Sequence, residues 1–230
     1  MRDGTEPTQA FRESLPDPAV IFQSARLVVI DKPSGMLSVP GKGPDKQDCA
    51  IARVKKLFPH ARGPMIVHRL DTDTSGLLAV ALDERTQRDL SIQFEERRVE
   101  KAYLALVDST LDHAPDSGEI SLPLRTDIDN RPYQIVDHTF GKLAQTRYRI
   151  LARELDRARL RLEPITGRTH QLRVHCAHPH APGLNAPILG DVLYGSASTF
   201  PRLALHAEFL SLFDPDNPAR RIEFHAPAPF

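Results

Sequence analysis

Apolar residues fall in short runs between polar turns, a pattern of strands more than of long helices. Residues 26–30 read as a strand ending in the turn Lys32-Pro33-Ser34-Gly35, with Pro40-Gly41-Lys42-Gly43 as a second turn. Asp48 is placed to cap a helix to about Phe58, with Ile51, Val54, Leu57 and Phe58 on one stripe and Pro59 ending it. Residues 65–67 predict a strand entry, and 77–82, an unbroken apolar run after a glycine, a buried strand. Residues 83–98 have helix-forming composition, with Leu90 and Phe94 as an apolar ridge. Residues 99–107, 119–124, 145–152, 158–163, 207–213 and 221–224 read as strands. The stretch 126–141 has weak periodicity and reads as a long surface loop, expected to touch substrate. Thr169 is placed to open a helix, capped by its hydroxyl. Residues 1–18 have little to bury and read as a loose arm, leaving 19–230 as one domain. Interleaved short strands with few helices predict an α+β domain on a mixed, largely antiparallel sheet.

At 230 residues the chain is long enough to bury a real core. Thirty Lys and Arg balance thirty Asp and Glu, so bulk charge announces no polyanionic partner. The distribution is less even: 142–173 holds nine Lys or Arg against Glu154, Asp156 and Glu163. That excess suits a phosphate-backbone contact surface or a solvated basic strand pair. Cys49 and Cys176 lie far apart and outside any CxxC pattern, which argues against a disulfide scaffold or a zinc ribbon. No apolar run is long enough to span a membrane, and the start of the chain lacks a secretory h-region, so the expected location is the cytoplasm.

The chemistry concentrates in 66–76, where His68, Arg69, Asp71, Asp73 and Thr74 occupy a polar loop between two apolar runs. A loop held at both ends by core presents side chains in fixed geometry. Taken alone, Asp71 is either an Asx turn or a reactive carboxylate, Tyr103 either a core tyrosine or a functional one. The histidines at 170, 175, 178 and 180 with Cys176 raise a metal site, but their spacing matches no zinc pattern and Pro179 breaks a helical face. Asp71-Thr72-Asp73-Thr74 is similar to the loop of aspartate phosphotransferases, though a second acidic cluster for magnesium is missing. A non-catalytic RNA-binding module would explain the basic segment but not the Arg-Leu-Asp loop.

His68-Arg69-Leu70-Asp71-x-x-Thr74-Ser75-Gly76 resembles the signature of the RluA family of pseudouridine synthases. Further segments follow in the family's order: Lys32-Pro33-Ser34-Gly35, Lys101-x-Tyr103-Leu104-Ala105, Ile165 to His175, and Leu189-Gly190-Asp191-x-Leu193-Tyr194. The resemblance implies a catalytic domain with a central cleft. It is strongest to the family's compact members, which implies no N-terminal S4-like domain. It implies that Asp71 attacks a target uridine, that Tyr103 stacks on the base and helps remove its C5 proton, and that Arg173 pairs with Asp71. Arg69 is expected to fill the space the flipped base vacates, with Arg168, His68 and Thr74 as further RNA contacts. The implied partners are stem-loop RNAs (23S ribosomal RNA, the tRNA anticodon arm), with no membrane and no obligate protein partner, the protein acting as a monomer. The isomerisation needs no cofactor, and no metal ligand is expected.

Overall fold

In the computed structural model, which describes residues 11, 13–112, 114–195 and 200–230, the first elements are β1 (Ala19–Gln23), β2 (Leu27–Lys32), α1 (Ala50–Leu57), β3 (Ser75–Ala81) and α2 (Glu84–Glu95). Then come β4 (Glu100–Val107), β5 (Ser117–Ser121), β6 (Leu124–Thr126), β7 (Gln134–Val136), β8 (Gln145–Arg153), β9 (Ala158–Pro164) and α3 (Gln171–Ala177). β10 (Leu205–Asp214) and β11 (Asn217–His225) close the chain. Among the described residues these elements form two compact units, one from 11–101 with 206–229, the other from 102–205 with Phe230.

In the first unit the strands run β1-β2-β3-β10-β11. β2 and β3 pair antiparallel, and every residue of β3 is buried, which explains its unbroken apolar run. β3 and β10 pair parallel, His206 beside Ser75 and Ala207 beside Gly76, so the sheet is mixed but mostly antiparallel. Ser75 Oγ and His206 Nδ1 share a 2.8 Å hydrogen bond that pins this register in the core. Asp83 caps α2 by accepting from the Thr86 N–H (2.8 Å), and Leu90 and Phe94 join the core with Leu77, Ala79 and Leu210.

Around α1 the structure departs from the expected cap and stripe. Cys49 is the N-cap, its Sγ accepting from the Ala52 N–H, while Asp48 grips Arg53 through Nε (2.9 Å) and Nη2 (2.7 Å). Arg53 is nearly buried and also donates to Leu15 O (2.7 Å). The buried face is therefore Ala50, Arg53 and Val54, and Leu57 is exposed. A buried arginine with two acids, Asp48 and Asp17, moved the stripe that an apolar pattern alone could place. The expected arm lies mostly outside the described residues; its end at Leu15 and Asp17 is tied to Arg53. Residues 65–67 make no strand, contributing one bridge from Ile66 to Val80.

The second unit runs β4-β9-β8-β5, all antiparallel, over a core containing Leu106, Ile120, Tyr148, Leu160, Leu162, Leu172 and Ile188. The stretch expected as one loop at 126–141 includes β7, which pairs with β6 as a small hairpin. Its apolar content is too short for a period to register. α3 begins at Gln171 behind His170, whose φ of 52° is left-handed, and no side chain caps it; the Thr169 hydroxyl does not open this helix. No described helix is long and apolar enough to cross a membrane.

Gly76 has φ 113°, and a Cβ there would press on the Ala207 backbone. Gly76→Ala is expected to destabilise by at least ~2 kcal/mol in urea unfolding; a loss under about 0.5 kcal/mol would contradict this β3–β10 approach.

Candidate active site

Lys32 ends β2 fully buried, and its ammonium donates to the carbonyls of Pro33 (3.0 Å), Met36 (2.7 Å) and Thr72 (3.0 Å). A cation removed from water needs its donors satisfied, so these oxygens fix the turn and the 68–74 loop as one body. Three further bonds close the seam. Ser34 Oγ donates to Asp73 O (2.7 Å), the Gly35 N–H donates to Thr72 O (2.9 Å), and Ser38 Oγ donates to Leu70 O (2.6 Å). The Leu70 N–H returns a bond to Ser38 Oγ (3.1 Å). Leu70, Thr72 and Asp73 are thus all held by the backbone, with Asp71 between them and half-buried.

The neighbours of Asp71 divide by burial. Arg69 is exposed and, among the described residues, has no side-chain partner, which leaves its guanidinium available to a ligand. Thr74 is buried, and its N–H closes the turn on Asp71 O (3.1 Å). His68 stacks on Phe94 at 4.5 Å, and its Nε2 accepts from the Ala79 N–H (2.9 Å). Burial, with the charge of Lys101 adding to it, lowers the imidazole to about 3. His68 is accordingly a neutral brace between loop and β3.

In the second unit, Tyr103 lies on β4 opposite Leu162, half-buried against the core beside which Leu172 of α3 packs. Arg173, one residue on, is 3% exposed and pairs bidentately with Asp191 through Nε (2.8 Å) and Nη2 (2.6 Å). The carboxylate bound to Arg173 here is Asp191, a partner that the sequence pattern alone does not name. Asp191 Oδ1 also accepts from the N–H groups of Leu193 (2.9 Å) and Tyr194 (3.0 Å), and the guanidinium sits 5.3 Å from the Tyr194 ring centroid. Tyr194 Oη shares a 2.8 Å bond with His170 Nδ1 and accepts from the Gln134 N–H (2.8 Å), joining α3 to β7.

Gln171 holds the loop before α3. Its Oε1 accepts from Thr166 Oγ1 (2.7 Å) and the Arg168 N–H (3.0 Å), and its Nε2 donates to Gln145 O (2.8 Å) and Thr146 Oγ1 (3.0 Å). That buried hub leaves the Arg168 side chain at the surface, where Nε donates to Leu143 O (3.1 Å). Two of the four histidines suspected of metal binding have other partners, His170 meeting Tyr194 and His175 Nδ1 bonding Thr146 Oγ1 (2.9 Å), and among the described residues no group of three or more ligating side chains could hold a metal ion.

The basic segment is less free than its local count suggests. Arg147 pairs with Glu119, Arg153 with Asp116, Arg157 with Asp156 and Arg161 with Glu163. Acids from β5 and its approach cancel charges on β8, which a count along the chain cannot register. The strand pair is thus largely an ion-paired exposed face. Lys142, Arg149 and Arg168 keep charge available on the surface.

Sequence reasoning missed the roles of Lys32, Ser34, Ser38 and Gln171. One signal was present: a lysine closing an otherwise apolar, buried strand must find acceptors.

The low value of His68 gives a pH test. An unfolded histidine titrates near 6.5 and this one near 3, so between those values the unfolded state binds more protons and stability falls as pH drops. His68→Gln is expected to flatten that decline in urea midpoints measured from pH 7 to pH 4; an unchanged slope would mean His68 is not held neutral.

The family model for RNA pseudouridylate synthases matches residues 26–178. A dual-specificity RNA pseudouridine synthase RluA from Yersinia pestis is 44% identical over 201 residues, covering 86% of this chain and 93% of that protein. The RluA of Escherichia coli K12 is 42% identical, covering 92% and 93%. Among solved structures, human RNA pseudouridylate synthase domain containing 1 aligns with a TM-score of 0.72 at 28% identity, covering 100% of this chain and 87% of that one. With its signature loop clamped as described and these relatives matching over most of its length, the chain belongs to the RNA pseudouridylate synthase family, as an isomerase that converts uridine to pseudouridine in RNA.

Proposed function

We propose that this synthase acts on stem-loop uridines of 23S ribosomal RNA and of the tRNA anticodon arm, with Asp71 as its nucleophile. The observation that carries the reading is the Lys32 frame. It immobilises the backbone on both sides of Asp71 and leaves the adjacent Arg69 exposed and uncommitted. The name of the bacterial relatives, dual-specificity synthases, supports two classes of RNA target.

In the proposed reaction the Asp71 carboxylate attacks the target uridine and the N1–C1′ bond breaks. The base turns, C5 bonds to C1′, the bond to Asp71 breaks and returns its electron pair to the carboxylate, the C5 proton leaves and N1 gains one, so no co-reactant is needed. Tyr103 stacks on the turning base and takes part in removing the C5 proton. Arg173, fixed by Asp191, supplies a positive charge that side-chain motion cannot withdraw. Arg69 fills the stack the base has left and meets phosphate, and Arg168 adds a phosphate contact. The two thiols, Cys49 and Cys176, are free and buried, and burial pushes Cys176 up to about 12, which suits a reducing cytoplasm.

Tritium release from C5-labelled uridine in bulk tRNA and ribosomal RNA tests the reading. Wild type should release tritium and Asp71→Ala none, while Tyr103→Phe should bind RNA and stall before release. Arg69→Ala should weaken affinity and turnover together. Release by Asp71→Ala at the wild-type rate would remove Asp71 from the chemistry, and full turnover by Tyr103→Phe would remove the proton role.

A further inference from the structure

Four exposed large apolar side chains lie close in sequence on the second unit: Ile128, Tyr133, Phe140 and Leu143. Phe140, at 77%, is the most exposed of them. A phenylalanine left in water forgoes the stabilisation its burial would give, so one held out by a rigid turn calls for a use.

The turn at 137–141 is rigid. Asp137 Oδ1 accepts from the N–H groups of Thr139 (2.8 Å) and Phe140 (2.9 Å), and the Gly141 N–H donates to Asp137 O (2.9 Å). Arg125 Nε donates to Asp137 Oδ2 (2.5 Å), and this bond with the turn's N–H groups holds the carboxyl down at about 2. Beyond the turn, Lys142 pairs with Leu124 through both backbone groups (2.8 and 2.9 Å). Phe140 is thus presented from a fixed backbone, at little ordering cost to whatever it meets.

Its surroundings select the partner. Lys142 is exposed and, among the described residues, has no side-chain partner. Arg168 reaches Leu143 O with Nε, so its charge lies beside the same short stretch. The one acid of the turn, Asp137, is neutralised by Arg125. An aromatic ring among uncancelled cations is the chemistry of unpaired nucleotides, with bases on the ring and phosphates on the cations. The other turn, 127–133, carries Asp127 and Asp129 around Ile128 against one exposed cation, Arg131, so its net charge disfavours phosphate beside Ile128. The two turns lie at opposite ends of β7, roughly 10 Å of strand apart.

We propose that Phe140 is a stacking platform for an unpaired base of the RNA substrate, with Lys142 and Arg168 on the neighbouring phosphates. The assignment rests on the RNA-modifying function proposed above and narrows the expected loop contact to one end of the hairpin. It makes Phe140 a determinant of which stem-loops are accepted, since bases paired within a duplex offer no free face to the ring.

The test titrates the full chain against a stem-loop RNA from which wild type releases tritium, and against a duplex of the same stem closed at both ends by covalent linkers, which leaves no unpaired base and no exposed end. Phe140→Ala and Phe140→Leu should weaken stem-loop binding roughly ten-fold, the order that base–aromatic stacking supplies. Phe140→Trp should stay near wild type, all variants should bind the duplex alike, and Ile128→Ser should bind both RNAs as wild type does. Unchanged stem-loop affinity in Phe140→Ala would overturn the platform, and so would equal losses on stem-loop and duplex. Retained affinity in Phe140→Leu would also overturn it, since that points to an apolar contact of the kind a protein partner or a second copy makes. Absence of tritium release by wild type from every RNA would instead defeat the function proposed above, a result read separately from these affinities.

Discussion

A buried lysine is tolerated only if its proton donors are met, and Lys32 meets them with three carbonyl oxygens. Two of those oxygens belong to its own turn and the third to Thr72, next to Asp71. The constraint runs in both directions. The ammonium requires the loop to approach, and the loop, so held, keeps Asp71 at one place four residues before β3. The Ser34, Gly35 and Ser38 bonds repeat the constraint on each flanking residue. In the proposed reaction the Asp71 carboxylate is made useful by position, a source of much of an enzyme's rate.

The second unit solves the same problem with different groups. Arg173 is buried against Asp191, and Asp191 is tied to the backbone at Leu193 and Tyr194. Gln171 secures the preceding loop from within, so that Arg168 faces solvent. In both units a buried, hydrogen-bonded side chain, Lys32 through Thr72 and Gln171 through Arg168, holds backbone at or beside a side chain proposed to act, and the cations Arg69 and Arg168 stay exposed. Polar burial is spent on orientation, since apolar packing alone would hold these loops less specifically.

Strands were legible where their period was clear. The buried run of β3 and the alternation of β8 and β9 stood close to their observed limits. The α1 stripe was not legible, because Arg53 replaced an apolar residue on the inner face and drew Asp48 away from the cap. β6 and β7 are three residues each, too short for a pattern. The signature loop was visible in the order of its residues, through resemblance and not periodicity. What remained hidden was the clamp: Lys32 lies forty positions from Thr72, and a turn containing lysine and glycine reads as a turn. The arginine ion pairs were hidden for a similar reason, since Glu119 and Asp116 lie outside the segment whose charge stood out.

The most direct test of this dependence is the rate of tritium release at saturating RNA by Lys32→Met, measured where circular dichroism and a cooperative urea transition show the variant folded. Methionine fills the space but leaves the Pro33 and Met36 carbonyls without the ammonium donor and Thr72 with the Gly35 N–H alone. The predicted result is a rate lower by about a hundred-fold, the order expected when a reacting group is displaced by about an ångström. A folded Lys32→Met that releases tritium at the wild-type rate would contradict the account.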